Sequence, residues 1–543
     1  MPWEGTCRWA GDARRSIKVV RPGASKWYFI LLVSIQLCLG LVYLDRVPRV
    51  FVDEAWDSAI ATSIAEQGRL RHPFVEHLGG MEVHYLPNRL TLPFFCAGIF
   101  KLAGCTVFTG RLGSQFLALA ATAVLYSLTS RWFGYKQAFV ITLLCIVQPW
   151  FFQTSRFIRP EIYYCALSLV YCLLLVLYFE SKSRLKAFGC GLTAGVLALT
   201  HINGLLLALA VSIAALIWLR SKGLPRLLLW GTVGFALVVL PYLVYLCWAA
   251  RQEGVNIWQQ MQTANFLKSP IRRELGRWKR FLVFPTLLPL GFIMFAGWVA
   301  SWYRSSRQEK FAAAVVAIYP ALLLLASVNG DERYLAATVP YWSILVGRLI
   351  WRTANWSYGF GPRLRPGIAL AVCIAVTYVG TSAALVGHTL FSLRNARFDK
   401  VVDKIAAVIE PGAKVYADPI FWFARDKLNY GPYLISFEKM KLKDYVRWWR
   451  SKRFEYVVRT SWYVGPPVWA QKPGEQMPDF RETSGCDNVC RLFGTKIEQF
   501  RDLYYGPIEI YELDWSRTYL WPRAQPLQSN EQFACRIRCA SLH

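Results

Sequence analysis

The stretch Phe51-Val52-Asp53-Glu54-Ala55-Trp56-Asp57 lies where the chain leaves its first strongly apolar segment, residues 27–44. Apolar side chains recur at helical spacing from Glu54 to Gln67, which predicts an amphipathic helix that begins with acidic residues. Acids at a helix N-terminus are either a solvated cap favoured by the helix dipole or groups with a chemical role. The sequence on either side of this stretch distinguishes between these two interpretations.

The composition predicts a membrane protein with several spans. Of the 543 residues, 55% are hydrophobic, and the mean hydropathy is +0.29, which is too apolar for a soluble chain of this length. A net charge of +28 would suggest nucleic acid in a soluble protein. Here the basic residues lie beside or between apolar segments, where topology and contacts with membrane lipids explain them, so no nucleic-acid binding is expected.

The N-terminal tail, residues 1–26, is basic and precedes the apolar run 27–44. The run lacks the small-residue cleavage site of a signal peptide, so we expect an uncleaved first span with the N-terminus in the cytoplasm. Further apolar segments follow at 113–130, 137–154, 161–179, 187–200, 204–219, 227–250, 281–302, 311–328, 335–351 and 367–391. Alternate links between them are basic and belong inside by the positive-inside rule. About eleven spans result, with everything after Leu393 outside.

Two segments affect this count. Residues 91–108 are interrupted by Pro93, Gly98 and Lys101. A crossing there would invert every later basic link, so we expect this stretch to lie along the membrane or to dip without crossing. Residues 187–219 have basic links on both sides and must go out and return. Each leg rises only ~22 Å, which predicts a tight hairpin whose tip, His201 to Gly204, forms the floor of an outward-facing cavity.

The C-terminal region, residues 394–543, has a different character. A helix is predicted over 398–409, a turn and strand over 412–416, a second helix over 442–452, and strands over 454–459 and 508–513. This alternation predicts a small α/β domain outside the membrane. Four of the 14 cysteines lie in it, and an oxidising compartment favours disulfides over a zinc site for them, with the pairing left open. They are Cys486, Cys490, Cys535 and Cys539.

Polar residues that topology does not explain collect in the outer links, as four groups. Asp53 and Glu54 form the first; Arg156, Arg159 and Glu161 the second; Arg333 and Tyr334 the third; and His72, His77, His84 and His201 the fourth. Each group also has a purely structural interpretation, respectively as a helix cap, an interfacial anchor, a charged turn or packed histidines. Arginines outside the membrane are not explained by the positive-inside rule, and they suit an anionic ligand such as phosphate. The spacing of His72, His77 and His84 matches no firm metal pattern.

Two nucleotide-binding signatures are missing from the sequence. It contains no Walker A motif and no glycine-rich dinucleotide turn after a strand. A group transferred by this protein must therefore come from a donor in the membrane.

Taken together, these motifs resemble the GT-C glycosyltransferases that use polyprenyl-phosphate sugars, in particular the protein O-mannosyltransferase and aminoarabinose-transferase group. The matching features cover most of residues 27–393. They are Asp53-Glu54 after span one, the stretch from Tyr85-Leu86-Pro87 to Gly104, Arg111-Leu112, Ser155-Arg156 to Arg159-Pro160-Glu161, Thr200-His201 to Gly204, and Arg333-Tyr334-Leu335. The resemblance implies a polytopic α-helical protein with the GT-C fold across residues 27–393, followed by the extracytoplasmic α/β domain.

The resemblance further implies an inverting transfer of a hexose or pentose from a polyprenyl phosphate to an acceptor hydroxyl. Asp53 is the implied general base with Glu54 beside it, and Arg159, Arg333 and Arg156 are the implied ligands of the donor phosphate. Glu161, His201 and Tyr334 would line the same cavity. Such enzymes can work without a metal, so no cofactor is required. The chain lacks the large outer insertion of the eukaryotic mannosyltransferases, which favours a bacterial cell-membrane enzyme of envelope glycosylation.

The resemblance leaves the sugar open, and it leaves open whether the acceptor is a glycan, a lipid or a protein. A transporter or flippase of an anionic lipid is the alternative from a different class, and an inactive scaffold is a third. A transporter should often show repeat symmetry and polar residues near mid-membrane. Here the unexplained polar residues lie on one side, which favours the enzyme.

Overall fold

The protein is described here from a computed structural model. The residues that it describes are 22–73, 75–76, 81–85, 89–218, 223–252, 276, 278–279, 281–282, 287–303, 305–326, 332–356, 366–431, 433–434, 442–460 and 484–516. Fourteen α-helices precede the C-terminal region (residues 394–543) within these ranges: α1 Pro22–Leu41, α2 Val52–Gln67, α3 Thr91–Ala103, α4 Val107–Phe133, α5 Tyr135–Val147, α6 Pro149–Thr154, α7 Pro160–Ser181, α8 Arg184–Thr200, α9 Ile202–Trp218, α10 Leu224–Gln252, α11 Leu288–Ala300, α12 Arg307–Leu325, α13 Val339–Trp356 and α14 Pro366–Leu393. A 3-10 helix, Glu332–Thr338, leads directly into α13.

The helical region is that of a multi-pass membrane protein. Within the described ranges, five helices are long and apolar enough to cross a membrane, namely α4, α7, α10, α12 and α14. Shorter apolar helices accompany them, among them α1, α5, α9 and α11. Within the described residues, the apolar segments predicted from the sequence are thus mainly helical, while the number of crossings stays a prediction. Helix α3 has 13 residues and rises only about 20 Å, less than the ~30 Å of a bilayer core.

The helix ends fall into two groups, as the alternating links predicted. At one end the basic links meet: Arg131 lies 3.5 Å from Glu180, and Glu309 at the start of α12 pairs with Arg348 and Arg352 near the end of α13. At the other end lie the starts of α2, α4 and α7, the α8–α9 tip and the 3-10 helix. The predicted outer polar groups belong to this second end.

Helix α2 is the predicted amphipathic helix, and it begins two residues earlier than expected, at Val52. Phe51 is its N-cap, and the Glu54 carboxylate accepts a hydrogen bond from the Phe51 N–H at 3.0 Å, as in a capping box. The helix ends at Gly68, whose φ of 65° is left-handed and favours glycine. Its buried face is unusually polar, because Glu54, Asp57, Ser58, Thr62 and Ser63 lie in it beside alanines.

The C-terminal region forms the predicted small α/β domain. Its described elements are α15 Phe398–Ala406, β2 Val415–Ala417, β3 Tyr433–Leu434, α16 Leu442–Lys452, β4 Tyr456–Thr460, α17 Ser484–Phe493, β5 Gly494–Asp502 and β6 Gly506–Leu513. The sheet order is β2-β4-β6-β5. Strands β2 and β4 are parallel, with Val415 beside Tyr456, whereas β6 is antiparallel to both β4 and β5. Elements β3, α17 and β5 were not predicted from the sequence, whereas the other elements were predicted to within a few residues.

The domain packs on the first outer loop, which is the link between the first and second predicted spans, residues 46–112. Strand β1, Val75–Glu76, pairs in parallel with β3. Trp422, in a 3-10 helix after β2, joins the apolar cluster of Ala55 and Ile60 on α2, and Arg425 pairs with Glu66 at 2.9 Å. The acidic start of α2 is therefore held between the membrane helices and the outer domain. Cys486 and Cys490 lie one turn apart on α17. The other two cysteines of the domain, Cys535 and Cys539, fall outside the described residues, so the disulfides and their pairing stay a prediction.

Candidate active site

Asp53 lies in the first turn of α2 and forms an ion pair with Arg159, whose Nη1 donates to its carboxylate. Arg159 is the residue before Pro160 at the start of α7. The Asp53 side chain is 33% exposed, whereas that of Arg159 is only 3% exposed. Two residues named from separate links in the sequence therefore meet, and Asp53 is the member that solvent or a substrate can reach.

Glu161 fixes the guanidinium of Arg159 from the other side. Arg159 Nε donates to both Glu161 oxygens, at 3.2 and 3.0 Å, and Nη2 donates to Oε1 at 2.8 Å. The Glu161 side chain is 1% exposed. Arg159 thus bridges two carboxylates, and such charge-assisted, multiply bonded pairs are geometrically well defined.

Arg333 reaches the same place from the 3-10 helix before α13. Its guanidinium carbon lies 4.8 Å from the centre of the Phe51 ring, and that of Arg159 lies 5.7 Å from the same ring. Cations at this distance from an aromatic face are attracted to it. Phe51 therefore holds both predicted phosphate-binding arginines beside the start of α2.

Asp57 and Arg89 belong to this centre too, although neither was predicted as a site residue from the sequence. Asp57 lies one turn after Asp53 on α2, and an Asp57 oxygen lies 3.9 Å from Arg89 Nη1. The Asp57 side chain is 0% exposed, and neither of its oxygens has a hydrogen-bond partner. Burial raises the pKa of Asp57 to about 7, against the positive charge of Arg89 and with a contribution from Asp53.

His201 lies at the tip between α8 and α9, as predicted, and packs at 5.7 Å from the Tyr334 ring. Burial lowers its pKa well below the usual range, and the charges of Arg89 and Arg159 lower it further. His201 is therefore neutral. Its Nδ1 accepts the Asn203 N–H at 3.1 Å, so the hydrogen is on Nε2, which can donate.

Glu54 has a different environment from its neighbour Asp53. It is 0% exposed, and Arg111 donates to both of its oxygens at 2.9 and 2.7 Å. The Ile158 N–H also donates to it, at 3.2 Å. Arg111 in turn donates to the carbonyls of Leu44, Pro48 and Arg49. These contacts indicate that Glu54 has a structural role, because they hold the first outer loop against α4.

Arg156, a predicted phosphate ligand, is likewise engaged by the protein itself. It is 0% exposed, and it donates to the carbonyls of Leu39, Gly40, Val42 and Val47 at 2.6–2.8 Å. Four of its five N–H groups are thereby used. Its geometry favours a structural role over phosphate binding, which distinguishes it from Arg159 and Arg333.

The histidines predicted as weak metal candidates lie apart. His72 packs at 4.1 Å from Trp56, and His84 Nδ1 lies 2.8 Å from the Tyr245 hydroxyl; His77 falls outside the described residues. Over the described part of the chain, no three His, Cys, Asp or Glu side chains gather in a group that could hold a metal ion.

Comparison with known proteins gives a family model and a fold. Residues 89–245 match the sequence model of the dolichyl-phosphate-mannose-protein mannosyltransferases. This match includes Arg89, Arg159, Glu161 and His201 but not Asp53. No curated protein sequence matched the chain significantly.

Two solved structures of ArnT from Cupriavidus metallidurans share the architecture. The apo form has a TM-score of 0.62, with 16% identity over 91% of this chain and 99% of that chain. The form bound to undecaprenyl phosphate has a TM-score of 0.60, with the same identity and coverage. The resemblance to the GT-C glycosyltransferases is thus confirmed, and the chain has their fold: a polytopic helical region followed by a small C-terminal α/β domain.

Proposed function

We propose that this protein transfers a sugar from a polyprenyl-phosphate donor to an acceptor hydroxyl at the outer face of the membrane, with inversion at the anomeric carbon. The observation that carries the proposal is the Asp53–Arg159–Glu161 cluster, where a half-buried carboxylate adjoins a fixed cation. The GT-C fold and the bound undecaprenyl phosphate of the ArnT structure support it. Glycan, lipid and protein acceptors are all compatible with this chemistry.

Asp53 is the general base of this proposal. A sugar or serine hydroxyl is a poor nucleophile at neutral pH, so a base must take its proton as it attacks. The new bond joins the acceptor oxygen to the anomeric carbon, while the bond from that carbon to the phosphate oxygen breaks. The proton goes to Asp53, and the electron pair of the broken bond goes to the phosphate. Among the acids of the cluster Asp53 is the exposed one, which is why it rather than Glu161 has access to an acceptor.

The arginines stabilise the leaving phosphate. Arg159 is held in place by Glu161, and Arg333 lies 4.8 Å from the centre of the Phe51 ring that Arg159 also contacts. Fixed cations stabilise charge that develops on a leaving group without having to reorganise. Because Arg159 also contacts Asp53, it places the base next to the leaving group. With this positive charge supplied by the protein, we propose that transfer needs no metal ion.

The membrane orientation follows from the same assignment. The basic helix ends lie in the cytoplasm together with the N-terminus, and the cluster faces outward with the C-terminal domain. We propose a bacterial cell membrane as the location, with envelope glycosylation as the process.

The test is transfer by the purified protein in lipid nanodiscs, supplied with a panel of radiolabelled polyprenyl-phosphate sugars and with membrane extract as the source of acceptor. We expect Asp53→Asn to lower kcat by about 10²–10⁴-fold. The matched control is Asp45→Asn, because Asp45 lies in the turn between α1 and α2, is 50% exposed and pairs with Arg46; it should keep full activity. Transfer by Asp53→Asn at the wild-type rate would refute the base assignment. Lipid flipping without transfer would support the transporter alternative instead.

A further inference from the structure

The buried carboxylate of Asp57 has no role in the transfer chemistry described so far. It is 0% exposed, neither oxygen accepts a hydrogen bond, and Arg89 lies 3.9 Å away as its ionic neighbour. Buried carboxylates are ordinarily paired at hydrogen-bond distance, because an unpaired charge in a protein interior is costly. The long separation makes this an incomplete ion pair.

Arg89 is held in the active centre by its neighbours in the chain. The N–H of Leu90 donates to the Leu199 carbonyl at 2.9 Å, and Thr91 Oγ1 lies 2.6 Å from Thr200 Oγ1, so Arg89 sits beside the His201 tip. The Arg89 side chain is 24% exposed. It interacts electrostatically with Asp53 and Tyr334 as well as with Asp57. Arg89 therefore has one side toward the buried acid and another toward the proposed donor site.

Several ionisable groups surround Asp57 and affect its protonation. Asp53 and Glu161 raise its proton affinity, whereas Arg89 and Arg159 lower it. The neutral groups whose ionisation would couple to it are Tyr85, Cys96 and Tyr163. Asp53 and Glu161 both contact Arg159, which leaves Asp57 as the acid whose ionic neighbour is Arg89.

We propose that Arg89 exchanges the Asp57 carboxylate for the donor phosphate, so that donor binding takes up one proton at Asp57. The inference rests on the proposed function, since it takes a lipid phosphate as the anion. A phosphate beside Arg89 adds a negative charge near Asp57, which favours the protonated acid. Asp57 is thus a positioning residue that acts through Arg89, and the proton comes from solvent.

The sign of the pH dependence follows from linkage. In the free protein Asp57 is protonated below pH about 7, so donor affinity there is highest and does not change with pH. Above that pH, the proton has to be taken up on binding. Affinity then falls by up to about tenfold per pH unit, until the pH exceeds the pKa of Asp57 in the complex.

The experiment measures binding of a short-chain polyprenyl methyl phosphodiester to the full-length protein in nanodiscs, by calorimetry from pH about 5.5 to about 9. A phosphodiester has no ionisable group in this range, so any pH dependence belongs to the protein. We expect wild type to lose about tenfold or more in affinity above neutrality, and to take up about one proton, read from buffers of different ionisation enthalpy. The Asp57→Asn variant has no carboxyl group to protonate at this position. At every pH, its Kd should therefore stay within about twofold of the Kd that wild type has at low pH.

The matched control is Asp426→Asn. Asp426 lies at the same distance from an arginine, 3.9 Å from Arg425, but is 86% exposed, so its variant should retain the wild-type profile. An identical pH profile in wild type and Asp57→Asn would overturn the inference. Wild-type binding above neutrality without proton uptake would overturn it too, and that measurement does not depend on the folding of any variant. Absence of binding at every pH would instead refute the proposed function, and the inference with it.

Discussion

Replacing Glu54 with glutamine separates a structural acid from a catalytic one. Glu54 and Asp53 are adjacent in the sequence, yet only Asp53 is exposed. Glu54→Gln keeps the shape of the side chain and removes its charge. Whichever oxygen is replaced, the glutamine NH₂ would then face two N–H donors, one of Arg111 and one of the backbone at Ile158 or Phe51. Two buried hydrogen bonds become repulsive contacts, and the Arg111 charge loses its counter-charge.

The magnitude can be worked from these contacts. Breaking a buried ion pair by removing one partner costs about 3–5 kcal/mol. At ~2.1 cal/mol/K per residue, a cooperative unfolding of 543 residues has an entropy near 1.1 kcal/mol/K. The Tm of Glu54→Gln should therefore fall by about 3–5 °C.

The measurement is tryptophan fluorescence of the purified protein in detergent during heating at one fixed scan rate, because unfolding of such a chain is not reversible. The control is Glu66→Gln on the same helix. Glu66 pairs with Arg425 at 2.9 Å but is 54% exposed, and exposed ion pairs contribute less than about 1 kcal/mol. That variant should melt within about 1 °C of wild type.

The sugar-transfer activity of Glu54→Gln is the second measurement. If Glu54 is structural, this activity should fall only in proportion to the fraction of the protein that is no longer folded. The reasoning would be refuted if Glu54→Gln had the same Tm as the Glu66→Gln control but a rate of sugar transfer lowered by about a hundredfold or more. Glu54 would then take part in the chemistry.

Two further substitutions test the arginines. Arg156→Met removes four hydrogen bonds to backbone carbonyls. We therefore expect its Tm to be at least as low as that of Glu54→Gln, and its Kd for the phosphodiester to be unchanged. A tenfold weaker Kd at an unchanged Tm would instead assign Arg156 to the donor site. Arg333→Ala removes a charged contact worth about 1.5–3 kcal/mol, which should weaken that Kd by about 10- to 150-fold without lowering the Tm. Lys310→Ala, at the opposite helix ends beside Trp218, is its control and should bind as wild type does.

Local patterns and charge asymmetry were enough to predict much of this fold. The spacing of apolar residues predicted α2, and the short legs between basic links predicted a turn at His201. The grouping of outer links also predicted that Asp53, Arg159 and Arg333 would share one region. These features depend on helical periodicity and on topology, both of which are properties of neighbouring residues.

What the sequence did not predict depends on partners distant in the chain. The difference between Asp53 and Glu54 arises because Arg111 reaches one of them and Arg159 the other. Asp57 carried a usable signal, since it lies four residues after Asp53 on the same helical face, but its burial depends on packing. Strand β5 was missed because it is an exposed edge strand rich in polar residues, and therefore lacks the apolar alternation typical of half-buried strands.

The position of Arg156 has a consequence for how the chain is made. Its guanidinium binds the last carbonyls of α1, 117 residues upstream in the case of Leu39, and so neutralises the negative end of that helix dipole. During synthesis α1 is complete long before residue 156 leaves the ribosome. The end of α1 and the carbonyl of Val47 therefore gain these hydrogen bonds only after residues 135–154, which form α5 and α6, have been synthesised, and a nascent chain shorter than this lacks their donor.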